Sequence, residues 1–291
     1  MTWILWRQHR VQLAVLTAAL TALALLLVPS GHTLGHANSP FAGHELETML
    51  VNLSVAVPLL LGVFLGVSLL GREFEQGTNL LAWSQTISRR RWLATKLTSV
   101  LAFTVLASTV LSVLATWWAR RGIGESRFSG LRFDTADLAP IGYSVFAVAL
   151  GFAAGAVLRR VMPAVATTVG GFFAVRLFVE LTLRPRFHAP VRAVSGLIGF
   201  HGRNDWVLSS RLLNPDGSTH DGPLRIPDAC AGQLNRSGVS ACVKDAGYRV
   251  VTRYQPGARY WTFQWTEAAI FVGLAALLVV VGAVAVLRRD A

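Results

Sequence analysis

A chain of 291 residues that is 53% hydrophobic and only 14% charged, with a mean hydropathy of +0.50, lies outside the composition of soluble domains and inside that of integral membrane proteins. Its net charge of +12 would point to nucleic acid in a soluble protein. Here the cations flank apolar runs or gather in one polar insertion, with no aromatic-basic groove, so lipid headgroups and topology account for them and no nucleic-acid partner is expected.

Residues 1–10, MTWILWRQHR, combine Trp3 and Trp6 with Arg7 and Arg10, the composition of an interfacial anchor. The apolar run 11–29 is the first of six predicted spans; it is long and lacks a small-x-small cleavage site, so it is expected to stay as a helix and not be cut as a signal peptide. Residues 30–48 contain no Lys or Arg whereas residues 1–10 contain two, which places the amino terminus in the cytoplasm. His32, His36 and His44 fall in this first outer loop, where flanking Gly and Pro oppose the helix that a shared metal would need, and no metal is expected. The second span, about 49–71, contains Pro58, which can kink it, and Gly62-x3-Gly66, which permits close helix packing.

Between the second and third spans lies Gly71 to Lys96, GREFEQGTNLLAWSQTISRRRWLATK. Phe74, Gly77, Thr78 and Leu81 recur at i, i+3, i+4 and i+7 with Arg72, Glu75, Gln76 and Asn79 opposite, the spacing of a short amphipathic helix that lies along the membrane in a cytoplasmic loop, 72–92. Thr86 or Ser88 offers an N-cap for a helix that opens Arg89-Arg90-Arg91-Trp92. By residue chemistry alone the segment fits a surface handled from the water side and equally a solvated loop with anchoring arginines.

The third span, about 97–118, ends at Trp117-Trp118. Loop 119–136 then falls outside, against the pull of Arg120, Arg121, Arg127 and Arg132; the orientation is kept because Arg72, Arg89, Arg90, Arg91, Lys96 and the pair Arg288-Arg289 all fall inside. The fourth span, about 138–158, carries Gly151-x3-Gly155, and Arg159-Arg160 mark a short inner turn. The fifth, about 161–183, holds Arg176 and Glu180, read as the only charges buried in any span. Four residues apart, they share a helix face and can pair, relieving the roughly 2.5–3.5 kcal/mol that each would cost alone at mid-membrane. The pair fits a gate, a substrate or subunit contact, and equally a structural ion pair near the outer end of the helix.

Residues 184–262 form a polar insertion with strand-like Tyr248 to Tyr254 and the turn Asn214-Pro215-Asp216-Gly217, which predicts a small extracytoplasmic domain with some β-structure. An insertion longer than about 60 residues can cross the membrane despite its cations. Cys230 and Cys242, the only cysteines, fit a disulfide closing a short loop in an oxidising compartment or two free thiols; without paired histidines they make a poor zinc site. Tyr260, Trp261 and Trp265 form an aromatic belt leading into the sixth span, about 263–287, and a cytoplasmic tail that ends at residue 291. The expected fold is therefore an all-α membrane protein of six transmembrane helices, with both termini cytoplasmic and a small domain between the fifth and sixth.

Glu73-x-Glu75-x-Gly77-Thr78, then Leu80-Leu81, Ser88-Arg89 and Lys96 before a hydrophobic run, resemble the cytoplasmic loop between the second and third helices of type-2 ABC exporter permeases. The opening WRQHR, the Cys pair and the aromatic return resemble an actinobacterial group within that family. One departure is Gln85, where many relatives have Pro. The resemblance implies a permease subunit of an ATP-driven exporter in the cell membrane that is not itself an enzyme. ATP and magnesium would sit on a separate ABC ATP-binding subunit, and a second permease copy or a paralogue would complete the pathway. It makes Glu73, Glu75, Gly77 and Thr78 contact or coupling residues, and puts Ser88, Arg89 and Lys96 at the re-entry into the membrane. Three other classes compete. An intramembrane enzyme needs a Ser/His dyad, a paired-Asp site or His-Glu ligands at depth, none of which the spans supply. A proton-coupled secondary transporter would rely on Glu180 but lacks the expected repeats and further buried acids, and a membrane-anchored sensor would be built on residues 184–262.

Overall fold

Long apolar stretches must satisfy their backbone internally in lipid, and helices do so. The computed structural model describes residues 14, 17, 18, 21–25, 28, 52, 56–75, 88–121, 126–195, 204–219, 230 and 236–289. Most of the first predicted span, the three outer-loop histidines, and residues 76–87, with Gly77 and Thr78, lie outside them. Among the described residues five helices are long and apolar enough to cross a membrane. They are α1, Ala56–Glu75; α2, Arg89–Arg121; α4, Ala139–Leu158; α5, Val161–Phe178, which continues as a π turn over Val179–Leu183 and a 3-10 turn over Arg184–Arg186; and α7, Tyr260–Arg289. Residues 14, 17, 18, 21–25 and 28 are also helical, and Leu23 is buried in the same core as α1.

Two glycine stripes decide how α1 and α4 meet. A Cβ at Gly66 would stand 2.4 Å from the Val148 carbonyl oxygen, and one at Gly151 would stand 2.4 Å from that of Gly62. The two Gly-x3-Gly motifs therefore face one another, backbone against backbone, which is how small residues let membrane helices associate where the hydrophobic effect offers little. Here α1 adopts π geometry over Gly62–Val67. Around this contact pack Leu61, Leu65, Leu69, Val148, Phe152 and Val286.

At 33 residues α2 is about 50 Å long, well beyond the roughly 30 Å hydrocarbon core. It starts where the Ser88 carbonyl accepts the Trp92 amide at 3.0 Å, so Ser88 takes the N-cap position. The stretch expected as a plain outer loop after it contains a short helix, α3, Gly130–Thr135, whose Phe133, Asp134 and Thr135 are buried.

Residues 124–129 and 183–261 form a second compact unit. Its three strands, β1 Val191–Ser195, β2 Trp206–Leu213 and β3 Arg249–Gln255, make an antiparallel sheet in the order β1-β3-β2. Leu212, Val250 and Thr252 point to its buried side. Phe128 stacks on Trp206 at 5.7 Å and meets Tyr260 edge-on at 5.5 Å. In the turn after β2, Gly217 takes φ +84°, and Asp216 accepts hydrogen bonds from the Ser218 hydroxyl at 2.7 Å and amide at 2.9 Å. These bonds favour the ionised form, so the Asp216 carboxyl lies below the usual carboxylate range.

Cys230 and Cys242 are joined in a disulfide with a Cα–Cα distance of 5.8 Å, the first of the two states the sequence allowed. It ties Cys230 to helix α6, Arg236–Asp245. Replacing both cysteines by serine should cost this unit about 2–3 kcal/mol through the freed denatured chain. Thermal melting should show one transition moved down in the variant and insensitive to reductant. Equal melting of variant and wild type would show that the bridge does not stabilise the unit.

Candidate functional site

The last turn of α1 carries Glu73, Phe74 and Glu75, the start of the predicted coupling loop, and each reaches a different neighbour. The Glu73 carboxylate is ion-paired with the Lys96 ammonium on α2. Lys96 is 1% exposed and stands 4.4 Å from the centre of the Trp92 ring, so cation–π attraction adds to the pairing. The second carboxylate oxygen of Glu73 is buried without a hydrogen-bond partner among the described residues. The Phe74 ring lies under the Arg159 guanidinium at 5.0 Å. Arg159 has a left-handed φ of 54° at the turn between α4 and α5. Glu75, exposed, accepts the Val161 amide at 3.4 Å, a long bond that places an acidic side chain at the first turn of α5.

Three consecutive side chains thus clasp the end of α1 to α2, to the α4–α5 turn and to α5. Of the seven residues that the loop motif singled out, Glu73 and Lys96 are brought together and Glu75 joins them at the clasp. Ser88 and Arg89 open α2, while Gly77 and Thr78 lie outside the described residues. A burial as deep as that of Lys96 makes the pair interdependent, because either ion without the other is a stranded charge.

A second polar cluster was not read from the sequence. Asp134, 6% exposed, accepts an ion pair from Arg176 at 3.0 Å, and the guanidinium stands 4.5 Å from the centre of the Tyr143 ring. The Tyr143 hydroxyl lies 3.1 Å from Asp134 and also contacts the Glu267 carboxylate. Glu267 is 1% exposed, so Arg176 and Glu180 are not the only charges buried in the predicted spans. The carboxylate at Arg176 belongs to α3. Glu180 sits half-buried in the π turn Val179–Leu183, which alters the four-residue stacking assumed for a regular helix.

Gln264 completes the cluster. Its carbonyl oxygen accepts the Leu138 and Ala139 amides at 3.1 and 2.8 Å, and its amide donates to the Phe133 carbonyl at 3.0 Å. Leu138 has no side chain able to cap α4, so a glutamine from α7 satisfies those orphan amides. Asp137, with a left-handed φ of 63°, is held by Thr116, whose hydroxyl accepts its amide at 3.0 Å, and by Ser112, whose hydroxyl donates to its carbonyl. Asp134, Tyr143, Arg176, Gln264 and Glu267 are all buried, and with Ser112 and Thr116 on Asp137 they lock α2, α3, α4, α5 and α7 together. Among the described residues no three His, Cys, Asp or Glu side chains gather as metal ligands. A lone Glu in an apolar run was the available signal for Glu267; Asp134, in an arginine-rich loop, gave none.

Helices of membrane-crossing length, joined by buried ion pairs and clasped at one end, define a multi-pass membrane protein. The chain belongs to the ABC-2 membrane transporter related family, whose model matches residues 33–184, just over half of the sequence. It is thus a membrane permease of an ABC transporter, a transporter component whose family implies an ATP-binding partner subunit. The match ends at residue 184, so residues 185–261, which make up most of the second compact unit, and α7 lie beyond it. No curated protein and no solved structure matches the chain.

Proposed function

We propose that this permease belongs to an ATP-driven exporter of the actinobacterial type, and that it forms the translocation path with a second copy or a paralogue. In this reading residues 1–183 carry five transmembrane helices and a cytoplasmic coupling loop, 72–92. Residues 184–262 are an extracytoplasmic domain, residues 263–291 hold the sixth helix and tail, both termini are cytoplasmic, and the protein resides in the cell membrane. ATP and magnesium are bound by the partner ATPase. Glu75, Gly77, Thr78 and Arg89 meet that subunit, while Glu73 and Lys96 act one layer in, as the rigid root that carries its movement into the helices.

The observation that carries this reading is the clasp. A push on loop 72–92 is delivered through Glu73, Phe74 and Glu75 to α2, to the Arg159 turn and to α5 together, so the loop has the connections that a coupling element needs. The experiment is co-purification followed by ATPase assay in nanodiscs. A stoichiometric ATP-binding subunit should come down with the chain, and Glu75→Lys or Arg89→Glu should lower coupled ATP hydrolysis at least tenfold with the membrane subunit still folded. Full transport with no ATPase present, or unchanged hydrolysis in both variants, would overturn the proposal.

A further inference from the structure

The exposed face of the sheet bears an unusual crowd of like charges. Arg192 on β1 stands directly opposite Arg253 on β3, Ser209 on β2 flanks Arg253 from the other side, and Arg211 stands opposite Val251. Arg192, Arg211 and Arg253 are all exposed. They line one concavity of about 410 Å³ with Ser209 and Thr219 as hydroxyl neighbours, and no carboxylate lines it among the described residues. Among the described residues none of the three guanidiniums has an acidic partner.

Like charges directly opposite one another weaken a strand pair. Yet this sequence places two arginines in register and a third beside them, around a hollow of the size that holds small ligands. A guanidinium presents a planar fork of N–H donors suited to oxyanions, and a phosphoryl group can engage several such forks at once. We propose that this concavity binds a phosphoryl anion, with Arg192, Arg211 and Arg253 as its ligands and the Ser209 and Thr219 hydroxyls as further donors. Such a group can arrive as a soluble phosphate compound or as the headgroup of an anionic phospholipid. The site is distinct from the clasp and does not rest on the export reading.

The test uses the full-length protein in detergent, melted across a titration of inorganic phosphate at constant ionic strength, and in nanodiscs of phosphatidylcholine with or without phosphatidylglycerol. A saturable rise in melting temperature with phosphate, weakened at least tenfold in apparent affinity by Arg192→Gln/Arg253→Gln, establishes the site for a soluble anion. Stabilisation by phosphatidylglycerol alone, lost in the same variant, establishes it for a headgroup. Without ligand the double variant should melt no lower than wild type, since it removes a cross-strand repulsion. Should it fail to fold, Arg211→Gln carries the same binding expectation. No response of the wild type to either probe, or an equal response in wild type and variant, overturns the proposal.

Discussion

Lys96→Met should lower the stability of the folded protein by about 3–5 kcal/mol, the usual result of stripping one partner from a buried ion pair. The methionine fills much the same space, so the loss comes from Glu73, whose carboxylate is left without its cation and already has one oxygen without a hydrogen-bond partner among the described residues. Glu73→Gln/Lys96→Met should recover most of that loss, because no charge is then stranded. Unfolding by denaturing detergent in mixed micelles would measure both. A single variant as stable as wild type would mean that water reaches the pair and that Glu73 does not anchor α1 to α2. If the double variant is stable but its ATPase partner no longer drives transport, the pair serves force transmission in addition to folding.

Gly151→Ala should be among the most damaging of the alanine substitutions at the described glycines. Its Cβ would stand 2.4 Å from the Gly62 carbonyl oxygen and 2.9 Å from the Val67 nitrogen, and these are backbone atoms that cannot turn aside as a side chain does. Overpacking of this kind costs about 1–3 kcal/mol even where neighbours can adjust, so the expected result is a loss at the top of that range or a protein that fails to accumulate. Gly66→Ala should behave alike, since its Cβ would meet the Val148 carbonyl oxygen at 2.4 Å. Gly170→Ala supplies the contrast. Nothing lies within 4 Å of its added carbon, and in the middle of α5 alanine should gain roughly 0.5–1 kcal/mol over glycine. If all three variants melted alike, the face-to-face packing of the glycine stripes would be wrong.

What the sequence discloses is what is local. Bilayer-length apolarity is a property of a single stretch, so the helical character of the chain and runs such as Ala139–Leu158 are visible without a structure. The two glycine motifs are visible for the same reason, but the fact that they face one another is not, since they lie on different helices. The polar contacts are the least legible. Glu73 and Lys96 lie 23 residues apart in a segment that looks solvated throughout, and the Arg176 ion pair depends on Asp134, in what reads as an arginine-rich loop. The cap on α4 is more distant still, with Gln264 lying 125 residues beyond Ala139. No periodicity can announce a hydrogen bond of that span, and the missing signal was an absence: a helix that starts at Leu138-Ala139-Pro140 with no capping side chain of its own.

That distant cap bears on the order in which the protein can be made. The amides of Leu138 and Ala139 and the carbonyl of Phe133 find their partner in Gln264, and Tyr143 shares its hydroxyl with Glu267. Both residues belong to α7, which leaves the ribosome after the other described helices. Until then the middle of the nascent chain holds a set of polar groups whose final companions have not been synthesised, and they must be kept wet or shielded by the insertion machinery. Translation has to pass α7 before the earlier helices can settle.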